Sequence, residues 1–546
     1  MAWVPGEVLV GVNVQIPPGA DPLPSVSVVR QQIARLLGEQ LPTEPPSPEE
    51  PVLEVPAEKE DERLLLLPVK LTRSEPAATR LAIGRINQAA GRELANNIQL
   101  VAATPNWFGA AQDCCGGSPA SQPLPVEPFG DRIRYAPELP ALDLLGEAEK
   151  SIRGGPAPVQ IAVLDTAPEL SEIHAALEQF KDNRHLREVI ERLIPPIGGL
   201  PPSPLEQARI GTLQTLERNG GIRPIEPAHP FDISDHGLFV ASIAYAVAPW
   251  APLQLVRVLN NFGVGSLHSL TVGLLGLLKA KGASDRLIIN LSLGILPALE
   301  QLASIWFGLP VAGLPGCPED PSLQFIVRQG SDVQEPVPAA KLRELIDDGD
   351  ATIKDSLDLV QAPVRRLMEL LLAQNCLIVA AAGNDSMFRG VERNPRWSPR
   401  IPALYDTTLG VAATSVHATQ PARYSNQGET PSELARDAVS TLGGDVDVDG
   451  ITPQSGVIGI YAAERFPPLL PPAEPLVNRY GWAQWSGTSF ATPLMAGIAA
   501  NTWATQTGSN ARQILDRLNA ESRAGGRPES PELGVVNVPV SLTWFP

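Results

Sequence analysis

Hydrophobic positions follow two textures along this chain. From about residue 141 onward, short unbroken apolar runs alternate with stretches of helical spacing: V-Q-I-A-V-L-D (159–165), L-Q-L-V-R-V-L (253–259), R-L-I-I-N-L-S-L (286–293), C-L-I-V-A-A-A (376–382) and T-L-G-V-A-A-T (408–414). Continuous Val/Ile/Leu strands separated by helices predict an α/β domain, its mostly parallel sheet covered by helices on both faces. Residues 1–110 read differently, as a small α+β unit: a strand over Val8–Val14, helical spacing over Ser25–Leu41, a strand over Arg63–Thr72, a helix over Ala77–Asn97 and a strand over Ile98–Ala103 that ends in T-P-N-W.

Between these elements the pattern breaks. Residues 41–62 combine Pro and Glu and cannot bury enough surface to order themselves, so a flexible insertion is expected there. The Gly-, Pro- and Ser-rich residues 111–140 read as a linker to a main domain over 141–546. Two further stretches look inserted into that domain: an amphipathic helix with a Pro-rich tail near 170–230, and residues 296–350. A chain of 546 residues exceeds one ordinary core, and its 57 prolines, about twice average usage, suit long connections.

Charge and cysteines narrow the function classes. A formal net charge of −18 disfavours nucleic acid and anionic membranes as partners, because phosphate binding needs clustered Lys and Arg. No uninterrupted stretch reaches the roughly 18 apolar residues that span a bilayer, and the N-terminal apolar run, broken by Pro5, Gly6 and Glu7, lacks a basic flank. A soluble cytoplasmic protein is the expectation. Cys114, Cys115, Cys317 and Cys376 show no C-x-x-C spacing and read as reduced thiols.

Three short contexts carry candidate chemistry. Asp165 ends an apolar strand in I-A-V-L-D-T, where an open α/β sheet presents functional groups at its carboxyl edge. His236 follows in S-D-H-G-L-F-V-A-S, with Gly237 permitting close approach ahead of an apolar helix. Ser489 lies in W-S-G-T-S-F-A-T-P-L-M-A-G, a turn of small residues before an apolar helix whose first turn would accommodate Pro493. A hydroxyl there meets the positive end of the helix dipole, which favours negative charge developing beside it.

Taken in order, these contexts resemble the subtilisin-like serine proteases over roughly residues 141–540. I-A-V-L-D-T is similar to the family's aspartate strand, H-G to its histidine helix, A-A-G-N (381–384) to its oxyanion asparagine and G-T-S-F-A-T-P to its serine block; N-L-S-L-G (290–294), Y-S-N-Q-G (424–428) and G-V-V-N (534–537) agree. The resemblance implies a subtilisin-like fold and a serine endopeptidase with Asp165, His236 and Ser489 as triad and Asn384 as oxyanion donor. It further implies a protein or peptide substrate paired along Ser292, Leu293 and Gly294, with Ala381, Ala382 and Gly383 in the pocket wall. Ala167 and Leu238-Phe239 depart from the family pattern beside the triad without removing a member.

No cofactor is required by that chemistry. Asp445–Gly450 opens like an EF-hand loop but carries Gly456 where the closing Glu belongs, so calcium stays open and no metal ligand is assigned. His174, His185, His229, His268 and His417 have no partner pattern and are expected to be structural. The 1–110 unit is similar to an inhibitory propeptide of the family, and the rival expectation is a permanent domain that receives an activating protein partner. A catalytically inactive peptide-binding scaffold is the alternative to a working enzyme.

Overall fold

In the computed structural model the described residues are 3–15, 26–38, 53–56, 62–73, 75–95, 97–110, 121–137, 159–193, 233–261, 263–282, 285–307, 351–386, 397–415, 421–426, 438–446, 453–467, 474–525, 527–528, 536–538 and 540–545. A central sheet of eight strands dominates. Its order runs Arg527–Pro528, Val536–Val538, Ala438–Leu442, Leu409–Thr414, Cys376–Ala381, Arg286–Leu291, Val159–Asp165 and Leu253–Arg257. All neighbours are parallel except the first pair.

Alternation along the strands explains why both faces are covered. Ala162, Leu164, Leu287, Ile289, Ile378 and Ala380 enter one core. Ile161, Val163, Ile288, Leu377 and Val379 enter the other. Helices Leu267–Ala280 and Ala351–Ala373 close the first face, while His236–Val247, Thr488–Thr505 and Ala511–Gly525 close the second. This is the mixed α/β architecture, a mostly parallel sheet covered on both faces, that the apolar runs predict.

Residues before 111 form an antiparallel sheet in which Trp3–Gln15 lies between Glu62–Lys70 and Ile98–Ala110. Its first face belongs to the same core as the main sheet, with Trp3, Leu9 and Trp107 in one cluster with Leu274, Val360 and Leu371. The sheet is also joined to the rest of the chain edge to edge, because Phe108, Gly109 and Ala110 pair with Ser266, Gly265 and Val264.

Several boundaries differ from expectation. Leu53–Pro56, inside the stretch expected to be flexible, is a strand paired with Arg63–Leu66; its neighbours 41–52 and 57–61 lie outside the described residues. The helix expected over Ala77–Asn97 ends at Asn87, because Gly91 (φ 75°) reverses the chain into a short strand at Glu93–Ala95. The expected linker contains Leu124–Pro125 and Arg132–Pro137, which pair with Trp482–Trp485 and Val540–Phe545; Ile133 and Tyr135 are buried, which ties the segment to the main body. The described part of 170–230, residues 170–193, holds two helices, Leu170–Gln179 and Arg184–Arg192, the second capped by the Asn183 side chain accepting from Leu186 N at 2.9 Å, and the expected Pro-rich tail lies outside the described residues. His174 does not pack: it is exposed, because Ile173 and Ala176 take the inner face of its helix. His185 and His268 are buried, and His229 and His417 lie outside the described residues, as do Cys114, Cys115 and Cys317. Cys376 is a buried free thiol.

Candidate active site

Parallel strands end on one side, and the segments leaving them gather the candidate residues there. Asp165 is the last residue of its strand and fully buried. Its Oδ1 accepts from His236 Nδ1 at 2.7 Å and from Thr166 N at 2.7 Å. The ring nitrogen Nδ1 is thereby fixed as a donor, which leaves Nε2 as the basic nitrogen. Asp165 Oδ2 has no hydrogen-bond partner among the described residues.

The approach of histidine to aspartate depends on Gly237. A Cβ there would lie 2.0 Å from Thr166 O and 2.9 Å from Asp165 Cβ, so a larger residue would push the two segments apart. The His236 ring is walled by Trp485, edge-on at 5.3 Å between centroids, and by Phe490 at 5.4 Å. Phe490 directly follows Ser489, which places the serine turn beside the imidazole.

Ser489 is the second residue of helix Thr488–Thr505, and 5% of it is exposed. Its hydroxyl donates to Ser292 O at 3.1 Å, and Ser292 Oγ in turn donates to Ser489 O at 2.7 Å. Among the described residues no hydrogen bond joins Ser489 to His236, so the carboxylate and imidazole are paired while the hydroxyl faces the Ser292 strand. Hydrogen bonds between a serine and its general base are often long before substrate binds and tighten in its presence.

Pro493 stands one turn farther into the helix than its expected place in the first turn. A helix proline offers no N–H to the carbonyl four residues earlier. Here that carbonyl belongs to Ser489, and it takes the Ser292 hydroxyl instead.

Asn384 is oriented by Thr488, which sequence reasoning did not single out and for which the sequence offers no signal. Asn384 Oδ1 accepts from Thr488 N at 3.0 Å and from Thr488 Oγ1 at 2.9 Å. With its oxygen committed to two donors, the side chain presents Nδ2 as a donor, 3.6 Å from where a Gly487 Cβ would stand. Gly383, at φ 108°, makes the turn that carries Asn384 there.

The other expected site residues are distributed unevenly. Ser292 touches Ser489 directly, but the Leu293 side chain is 2% exposed and belongs to the core, so its backbone alone could meet a ligand. Ala381 ends the strand that neighbours Arg286–Leu291, and Gly383 and Gly294 both stand against the side chain of Arg400. Asp445 accepts from its neighbour Val446 N at 2.9 Å; Asp447 and Asp449 lie outside the described residues, among which no group of His, Cys, Asp and Glu could hold a metal. No helix among the described residues is long and apolar enough to cross a membrane.

The sequence profile described as Peptidase S8, the subtilase family, matches residues 159–532. No functionally curated protein matches the chain. Among solved structures, the chain is similar to a lanthipeptide protease at 14% identity, covering 69% of this chain and 85% of that one, with a TM-score of 0.38. Similarity to a mutant of the protease domain of PatA is 17% over 69% and 92%, with a TM-score of 0.36. A cold-adapted subtilisin-like serine proteinase gives 18% over 70% and 87%, with a TM-score of 0.34.

Proposed function

Since the chain belongs to the subtilase family, we propose that it is a serine endopeptidase whose triad is Asp165, His236 and Ser489. The observation that carries this reading is the buried 2.7 Å contact between Asp165 Oδ1 and His236 Nδ1, with the Ser489 turn packed against the same imidazole through Phe490. His236 Nε2 takes the Ser489 proton as Oγ attacks the peptide carbonyl, and Asp165 holds the ring and stabilises the imidazolium. The developing oxyanion is met by Asn384 Nδ2 and the Ser489 backbone N–H at the helix N-terminus. His236 then delivers the proton to the departing amine, and a water repeats the attack on the acyl-enzyme.

The reading extends to residues 1–110 as an attached inhibitor. The strand Ile98–Ala110 runs antiparallel along Ser266 to Val264 and ends opposite Val264, whose carbonyl accepts from Asn260 N. Val258 N and Leu259 N, in the segment leading to Asn260, both donate to Asp165 O, so the strand ends near the end of the sheet where the triad residues gather. On this reading the N-terminal unit blocks the substrate groove until the connector after it is cut.

Two measurements test this. Labelling by a fluorophosphonate is expected in the wild type and absent from Ser489→Ala; equal labelling of both overturns the serine mechanism. Intact masses are expected to show a shortened wild type beside a full-length Ser489→Ala chain. Two full-length chains would instead favour a permanently attached N-terminal unit.

A further inference from the structure

The neighbouring strands Arg286–Leu291 and Cys376–Ala381 end together, and Ser292, just past the first, exchanges hydrogen bonds with Ser489. A substrate carbonyl held between Ser489 Oγ and Asn384 Nδ2 directs the side chain of its own residue between Ser292–Gly294 and Ala382–Asn384. A third segment already enters that gap: Arg400 N donates to Ala382 O at 2.7 Å, and Ile295 N donates to Ile401 O at 2.8 Å. The aliphatic stem of Arg400 lies against both glycines. A Cβ on Gly294 would meet Arg400 Cδ at 2.7 Å, and one on Gly383 would meet Arg400 Cγ at 2.9 Å. The room that the two glycines leave is therefore occupied by this chain's own arginine.

The arginine is held in place. Its Nε donates to Asp385 Oδ2 at 2.7 Å, and its Nη2 donates to Asp385 Oδ1. Asp385 is fully buried and clasped in turn by Asn426, whose Nδ2 donates to Oδ2 at 2.7 Å and whose Oδ1 accepts from Asp385 N at 2.8 Å. A fork-to-fork pair on a buried carboxylate does not swing aside cheaply, because the move would strand the carboxylate.

We propose that Arg400 determines specificity by flooring the pocket for the residue on the acyl side of the cleaved bond, so that the enzyme cuts after small uncharged side chains such as Gly, Ala and Ser. The inference rests on the peptidase reading above. Bulk, rather than charge, is what Arg400 contributes, since its guanidinium is matched by Asp385.

The test uses tripeptide diphenyl phosphonates carrying an Ala, Phe or Glu side chain next to phosphorus. Ser489 Oγ attacks phosphorus, a phenoxide leaves, and the serine proton ends on the phenol; labelling rates are read by intact mass on the self-processed enzyme. The Ala probe is expected to label about 10- to 200-fold faster than the Phe probe, the range that one misfitting group in a pocket commands. Arg400→Gly combined with Asp385→Asn, which removes bulk and pair together, should raise Phe labelling about tenfold or more while Ala labelling changes little. Arg400→Met with Asp385→Asn, which keeps the bulk, should stay Ala-selective. Phe or Glu labelling as fast as Ala in the wild type overturns the inference, as does an unchanged ratio in the glycine variant; if a variant does not fold, the wild-type ratio decides. Fluorophosphonate labelling without side-chain discrimination sinks this inference alone, whereas failure of every probe sinks the peptidase reading beneath it.

Discussion

The antiparallel sheet of residues 3–110 and the parallel sheet of the main body share one core, yet they use their ends differently. Antiparallel strands finish alternately on two sides, so the first sheet offers a continuous face and an edge, and it docks through both: Trp3 and Trp107 in the shared core, residues 108–110 along Val264–Ser266. Parallel strands all finish on the same side, so the segments after Asp165, Leu291 and Ala381 converge, and buried polar groups are concentrated there. The contrast teaches that burying a sheet on both faces gives stability, whereas ending its strands in one place gives a site. A cover needs only the former.

Substitutions at the carboxyl edge should be silent in stability and severe in activity. Asp165→Asn leaves the volume intact but removes the charge that orients His236, and kcat on a peptide substrate should fall about 10,000-fold. Asn384→Ala removes one oxyanion donor, for an expected loss of about 100- to 1,000-fold in kcat with little change in KM. A large KM effect instead would place Asn384 in ground-state binding.

Changes at the seam between the sheets should show the reverse. His268 is buried at the start of helix Leu267–Ala280, and neither ring nitrogen has a partner among the described residues. Burial pushes its pKa down to about 4 from the usual 6.5. The unfolded chain thus takes up a proton near pH 6.5 that the folded chain refuses until about 4, so stability is complete above 6.5 and lost as pH falls through that window. His268→Leu should make the acid fall in unfolding free energy shallower by an amount on the order of 1 to 3 kcal/mol, with part of the slope remaining because burial also lowers His185 to about 4. An unchanged slope would remove His268 from the acid response.

A smaller effect is expected at Asn106, whose Nδ2 donates to Glu7 at 2.8 Å and whose Oδ1 accepts from His268 N at 3.0 Å. Asn106→Ala should weaken the seam by about 1 to 2 kcal/mol, speeding amide exchange in Ile98–Ala110 roughly tenfold while Arg286–Leu291 stays unchanged. Equal acceleration in both strands would show that the two sheets open as one unit.

What could be read from the residues alone was local. Apolar runs mark five strands of the central sheet because a strand buried on both faces has no polar alternation, and the contexts of Asp165, His236 and Ser489 stand out beside small neighbours, whereas Asn384 is legible only through the family resemblance. Helix ends were less legible: Asn87 and Leu37 close helices that the apolar pattern alone would have continued. The strand at Leu53–Pro56 was hidden because its composition suits solvent, and only its partner Glu62–Lys70 orders it.

The sequence by itself thus determined five strands of the central sheet and which residue types could do chemistry, since periodicity and side-chain identity are properties of short windows. Tertiary structure alone decided that Thr488 turns Asn384, that Ser292 holds the Ser489 hydroxyl and that Arg400 fills the space between Gly294 and Gly383. Each of these joins residues far apart in the chain, and their meeting is fixed by how helices and strands pack, which no local pattern encodes.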